Sequence, residues 1–313
     1  YKSAGRFGEA IELYEQVLAE RERVLGADHP DTLTVRNNLA VAYKSAGRFG
    51  EAIELFERVL AEYEWVLGAD HLDTLNTRNN LASTYKSAGR FGEAIELYEQ
   101  VLAERERVLG ADHPDTLTVR NNLAVAYKSA GRFGEAIELF ERVLAEYEWV
   151  LGADHLDTLN TRNNLASTYK SAGRFGEAIE LYEQVLAEYE RVLGADHPDM
   201  LIRNNLAVAY LSVGRFGEAI ELFEQVLAEY ERVLGADHPD TLTVRNNLAG
   251  AYDSAGRLAE AIDAWKELLP DCQRILGADH PDTLAVRNNL AVAYYSVGRF
   301  GEAVELFEQV LAE

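Results

Sequence analysis

The sequence predicts an all-α chain, an α-solenoid of stacked antiparallel helix pairs. Three observations carry that expectation: a fixed repeat, two apolar patterns of helical spacing inside each repeat, and glycine-marked breaks between them. The segment from Tyr1 to Ala42 recurs from Tyr43, Tyr85, Tyr127, Tyr169, Tyr210, Tyr252 and Tyr294, a period of 42 residues. The 313 residues therefore read as one array of repeats 1–42, 43–84, 85–126, 127–168, 169–209, 210–251 and 252–293 with a partial copy at 294–313, which overrides the two domains that length alone suggests. Residues 1–84 return unchanged as 85–168, the mark of a duplicated two-repeat block, whether natural or built. The copy at 169–209 is one residue short around His197, Pro198, Asp199 and Met200, so an altered turn or helix start is expected there.

The first helix of a period is expected from about Asp31 to Ala46. A rotation of about 100° per residue puts Leu39, Ala40, Tyr43 and Ala46 on one side, to pack, and Thr34, Asn37, Asn38, Val41 and Ser45 on the other, to be presented. The second helix is expected from about Phe49 to Leu67, where Phe49, Ala52, Ile53, Phe56, Val59, Leu60, Tyr63, Val66 and Leu67 form a wide apolar stripe. Gly47 and Gly68 follow the two helices, where a left-handed residue costs glycine least. Asp28 and Asp70 are expected to open the next first helix, with Asp31 three residues after Asp28 as in a capping box and a proline just inside the start in most copies. Connections of about three residues force neighbouring helices antiparallel. Neither helix can bury its stripe alone, so each pair must stack on the next. Tyr1 falls in the last turn of a first helix and Glu313 before the Val-Leu-Gly that closes other second helices. The expectation is a fragment of a longer array whose uncapped ends self-associate end to end.

Composition excludes several classes of partner. With 53 acidic against 30 basic residues the net charge is -23, which repels phosphate backbones and anionic lipid surfaces, so neither nucleic acid nor membrane is expected as a partner. No apolar run reaches membrane-spanning length. Cys272 is the single cysteine, which excludes an internal disulfide framework and a cysteine-rich metal site and makes the cytoplasm the default setting. The seven histidines sit one period apart in Asp-His-Pro or Asp-His-Leu loops, too evenly spread to gather as metal ligands. No phosphate-binding loop, nucleophile elbow, zinc helix or dinucleotide fingerprint occurs, and the glutamates repeat along a solvated face. Neither catalytic residues nor a cofactor are expected.

Leu39, Ala40, Tyr43, Ala52 and Phe56 meet the tetratricopeptide pattern, with Arg36 at its tryptophan position. The extra length, the run Leu25 to Thr32 and the run Arg36-Asn37-Asn38-Leu39-Ala40 resemble the 42-residue kinesin-light-chain subtype of that family, a repeat also found in C-terminal arrays of microbial signal-transduction NTPases. The resemblance implies a right-handed superhelix with a concave surface built from first helices and a protein or peptide ligand. Helical spacing independently gathers Thr34, Asn37, Asn38, Val41, Lys44 and Ser45 on the presented side.

The candidate peptide-binding residues are therefore an amide ladder: Asn37, Asn38, Asn79, Asn80, Asn121, Asn122, Asn163, Asn164, Asn204, Asn205, Asn246, Asn247, Asn288 and Asn289. Each amide carries a donor and an acceptor and so suits an extended backbone. The competing role is that one asparagine of each pair bonds a neighbouring helix. Lys44, Lys86, Lys128 and Lys170, with Lys2, form a basic strip on the same face that would suit an acidic peptide. Any such preference is confined to the N-terminal half, because later copies carry Leu211, Asp253 and Tyr295 there. The competing role is complementation of the helix macrodipole.

Other signals read as structural. Arg36 and its equivalents fall on the packing side and call for a second-helix glutamate. Trp65 and Trp149 replace the arginine of other copies, either as fillers of the inter-repeat seam, the more ordinary role, or as a lateral contact surface. Trp265 and Cys272 take core positions, and Pro270 is expected to kink or break its helix. The expected function is a protein-interaction scaffold. The alternatives are a regulatory array that restrains a neighbouring NTPase domain, and an engineered scaffold without natural ligand, which irregularities such as Leu72, Met200 and Pro270 disfavour.

Overall fold

A computed structural model describes residues 7–193 and 200–311, and among these the chain forms fifteen helices and no strand. In order they are α1 (Phe7–Leu25), α2 (Pro30–Ser45), α3 (Phe49–Val66), α4 (Leu72–Ser87), α5 (Phe91–Leu109), α6 (Pro114–Ser129), α7 (Phe133–Val150), α8 (Leu156–Ser171), α9 (Phe175–Leu193), α10 (Met200–Ser212), α11 (Phe216–Val233), α12 (Pro239–Ser254), α13 (Leu258–Ile275), α14 (Pro281–Ser296) and α15 (Phe300–Leu311). Even-numbered helices are the first helices of each repeat, and odd-numbered helices the second. The expected bounds hold to within about a residue. The altered turn expected at His197 to Asp199 lies outside the described residues.

The chain divides into two compact units, residues 1–164 and 165–313. In the first, α1 to α7 pack each on the next, and the first helices α2, α4 and α6 also touch in succession, whereas the second helices do not touch one another among the described residues. The second unit repeats this arrangement from α9 to α15, with α10, α12 and α14 in succession. Both are helix pairs stacked as in a tetratricopeptide-type solenoid.

The reason is visible in the core. Ala40 from α2, Ala52, Ile53 and Phe56 from α3, and Leu81 from α4 form one cluster, so the side chains of one repeat are sealed only by the next. The alanines Ala40, Ala52, Ala82 and Ala94 are fully buried and bring helix axes close, while Phe56, Phe140 and Phe223 fill the space between. Each such phenylalanine contributes roughly 1.5–3 kcal/mol by leaving water.

The helix ends show why the breaks fall where they do. Gly47 has φ 75°, and it lets Arg48 N donate to Tyr43 O (2.9 Å) and Gly47 N to Lys44 O (3.0 Å), the paired bonds of a Schellman ending. At the other end the capping residue is histidine, not the aspartate that spacing suggested. His29 Nδ1 accepts from Asp31 N at 3.2 Å, and His71, His113, His155, His238 and His280 repeat the bond. With Pro30 as the first helical residue the free N–H is that of Asp31, and Asp28 stands one residue too early to reach it.

At Pro270 the expected alternative of a broken helix is corrected. The helix α13 runs unbroken from Leu258 to Ile275 through it. Pro270 and Lys266, whose carbonyl loses its partner, are both exposed, so water can serve that oxygen. Leu268, Leu269 and Cys272 are meanwhile buried and anchor both sides of the proline.

Candidate protein-binding face

The first helices have the two sides that helical spacing predicts. In α2, Leu39 and Ala40 are buried, Thr34, Asn38, Val41 and Ser45 are exposed, and Asn37, Tyr43, Lys44 and Ala46 lie between. All fourteen asparagines of the ladder are partly or fully exposed.

Their bonds follow a rule. Thr77 Oγ1 donates to Asn37 Oδ1 (3.2 Å) and Thr161 Oγ1 to Asn121 Oδ1 (3.3 Å). Where the threonine position holds Val119, Val244 or Val286, the second asparagine of the pair reaches back instead: Asn122 Nδ2 to Asn79 Oδ1 (3.5 Å), Asn247 to Asn204 (3.3 Å) and Asn289 to Asn246 (3.4 Å). The first asparagine is thus the acceptor that ties one first helix to the next. Asn246 also accepts from Trp265 Nε1 at 2.8 Å, and Asn205 from Lys170 Nζ at 2.8 Å. Asn163 Oδ1 is buried with no partner among the described residues. The side chains of Asn38, Asn80 and Asn288 make no hydrogen bond among them either, which leaves their amides open to a ligand.

The lysines do not stand free at a rim. Lys44 Nζ donates to Ser83 Oγ of the next first helix at 2.7 Å, and Lys44, Lys86, Lys128 and Lys170 are all partly buried. Burial lowers the ammonium pKa of Lys44, Lys86 and Lys170, and repulsion from Lys86 lowers that of Lys44 further. Lys2 lies outside the described residues.

Arginines hold the stack together behind this face. Arg36 is buried between a second helix on each side, pairing with Glu22 of α1 at 2.7 Å and with Glu62 of α3. Arg78 does the same with Glu64 and Glu104, and Arg120 with Glu106 and Glu146. The glutamate partner expected from sequence is therefore two glutamates, one on each side of the seam. Tyr43 adds a further tie: its hydroxyl donates to Glu15 Oε1 at 2.6 Å, and the Arg48 guanidinium lies 4.5 Å over its ring. That hydrogen bond, then burial, pushes the Tyr43 hydroxyl up to about 12.

Arg105 escaped the sequence reading. It occupies the Tyr63 position of its repeat yet is buried, donating to the Asp115 carbonyl at 2.9 Å and to Asn76. A charge interrupting an otherwise apolar stripe was the available signal.

Trp65 and Trp149 are a correction. Each is 88% exposed, so neither fills a seam. The equivalent residues Arg107 and Arg274 show why: they project outward to Asp70 and Asp237 in the turn before the preceding first helix, and any residue at that position points into solvent. Trp265 and Cys272 are buried as expected.

An open cavity of about 350 Å³ between α9, α10 and α11 is lined by Glu183, Glu190, Glu218 and Glu221 over an apolar floor. Three of these carboxylates are taken up, Glu183 by Tyr210, Glu190 by Arg203 and Glu218 by Arg215, which makes the cavity chiefly a structural feature of the seam. Among the described residues no histidine, cysteine or acidic cluster has metal-ligand geometry, and no helix is long and apolar enough to cross a membrane.

A tetratricopeptide repeat profile matches residues 1–64, 52–103, 73–148, 199–270 and 254–312, and a second tetratricopeptide repeat profile matches 158–199. No curated protein matches the chain. Among solved structures it is similar to the nearly identical TPR-like repeats of a putative kinesin light chain from Podosopora anserina, 35% identical over 64% of this chain and 95% of that one, with a TM-score of 0.58. A signal transduction ATPase (STAND) protein with a tetratricopeptide repeat sensor, from Pyrococcus horikoshii, is 16% identical with a TM-score of 0.70, over 96% of this chain and 44% of that one. BtubC from P. vanneervenii is 21% identical with a TM-score of 0.56, over 76% of this chain and 93% of that one. At such identities the last two likenesses carry the fold alone.

Proposed function

Because the chain belongs to the tetratricopeptide repeat family, whose fold is in general a non-catalytic interaction scaffold, we propose that it holds a peptide or short helix of a protein partner along the face of its first helices. The observation that carries this reading is the row of accessible amides, above all those of Asn38 and Asn80, which owe no bond to a neighbouring helix. First helices that touch in succession while second helices stay apart support a concave face on the first-helix side of each unit. In this role residues 1–313 act as one array.

Lys44, Lys86 and Lys170 support an acidic ligand in the N-terminal half: each ammonium is partly desolvated, and an incoming carboxylate would strengthen its charged form. The buried, free thiol of Cys272 supports a reducing, cytoplasmic setting. Exposed Leu13 and Val17 on α1, and Phe300 and Val304 on α15, support end-to-end association of chains of this length. No residue of this chain specifically favours the sensor-array alternative.

The test is a displayed random-peptide library selected against the intact chain, followed by affinity and stability measurements on two variants. Asn38→Ala with Asn80→Ala should lose at least tenfold in affinity with unchanged stability, since those side chains make no internal bond. Asn37→Ala with Asn79→Ala should lose stability as well. Unchanged affinity in the first variant would refute a ligand role for the amides.

A further inference from the structure

The Arg107 to Asp70 and Arg274 to Asp237 pairs show a position, near the end of a second helix, from which a side chain reaches the carboxylate of the preceding turn. In two repeats that position holds tryptophan. Trp65 and Trp149 stand 88% exposed, and the carboxylates they would have met as arginines, Asp28 and Asp112, are exposed and make no ion pair among the described residues. Each substitution therefore removes an internal cation and leaves two groups beside the vacancy: a carboxylate and an indole face. Both attract the same thing. A guanidinium can stack on the indole and pair with the acid at once, the double contact that Arg48 makes with the Tyr43 ring and Glu51.

We propose that Trp65 with Asp28, and Trp149 with Asp112, are two equivalent docking points for an arginine-bearing basic segment of another protein, which restores in trans the arginine that other repeats supply themselves. Both lie in the first compact unit, in identical sequence surroundings two repeats apart, so one partner segment can engage both and gain affinity from the linkage. Charge complementarity fixes the class of partner. The chain carries a net charge of -23, which favours a basic segment and disfavours nucleic acid and anionic membranes, the other frequent partners of exposed tryptophan. The surface is formed by second-helix ends and turns, not by the amide face, so it stands or falls independently of the peptide-binding proposal.

The test uses the intact chain and an arginine-rich peptide, with a lysine-rich and a glutamate-rich peptide of equal length as controls, read by tryptophan fluorescence and by calorimetry. Trp265 is buried and should report little. The arginine peptide should change the exposed-tryptophan emission saturably, bind more tightly than the lysine peptide, and lose tenfold or more in affinity to the W65A/W149A variant, whose charge is unchanged. Trp65→Arg with Trp149→Arg installs the repeat's own residue, should fold normally, and should lose the site because it fills it. Affinity within twofold of the parent in both variants would overturn the proposal by reducing the binding to general charge attraction. A self-associated chain that dissociates in the same variants would also overturn it, since the occupant would then be a second copy.

Discussion

Replacing Arg120 is the sharpest probe of how the stack is held. Its side chain is 1% exposed and is shared by Glu106 of α5 and Glu146 of α7, whose side chains are 38% and 20% exposed. Removing one side of a fully buried pair costs about 3–5 kcal/mol. Arg120→Ala falls below that range because both carboxylates can recover water, but it also loses the packing of the arginine stem, so roughly 2–3 kcal/mol is expected. The reverse change, Glu106→Ala with Glu146→Ala, should cost more, about 3–5 kcal/mol, because a guanidinium held at the seam cannot reach solvent. Native-state hydrogen exchange is the assay. At about 1.4 kcal/mol per factor of ten, Arg120→Ala should speed exchange of protected amides in α5, α6 and α7 by roughly 30- to 150-fold, and leave those of α12 to α14 within a few-fold, since stability in such an array is a nearest-neighbour quantity. A cost under 1 kcal/mol, a larger cost for the arginine side than for the acid side, or uniform acceleration along the chain would refute the reasoning.

Phe140→Ala, at a fully buried site between repeats, should cost about 3–5 kcal/mol in chemical denaturation. Pro270→Ala should stabilise the chain by roughly 1–3 kcal/mol, because the residue lies inside a continuous helix on its exposed side and the change restores a backbone donor. Tyr98 and Tyr182 are pushed up to about 12 by burial. The native state then holds their protons while the unfolded chain has lost them, so stability present below pH 10 is lost as the pH rises from about 10 to 12, by roughly 2–3 kcal/mol per residue. Absorbance titration of tyrosinate should show these two ionising only with unfolding, against a Y98F/Y182F control.

The repeat, the helix bounds and the two sides of each first helix were legible because periodicity records which positions another repeat must cover. Ala40, Leu39, Phe56 and Trp265 sit where spacing put them. What was not legible depends on neighbours in space. The capping role of His29 depends on which residue holds the extended backbone just before the helix, and His71 and His155 play the same part where leucine follows in place of proline. The two-glutamate clasp on Arg36 needs both flanking second helices in position. Trp65 could be assigned outward only from the path of Arg107, a contact between repeats that no single repeat encodes. Along the amide ladder, sequence supplied the residues but not the division of labour, because whether Asn122 turns back to Asn79 depends on Val119 or a threonine standing beside it.

The most direct test is a map of side-chain amide resonances in the chain, recorded while a peptide selected from the displayed library is added. Shifts concentrated on Asn38, Asn80 and their neighbours along the first helices, with second-helix ends and the Trp65 indole undisturbed, are the predicted result. Shifts confined to second helices, with those asparagine amides unmoved at saturation, would contradict the account.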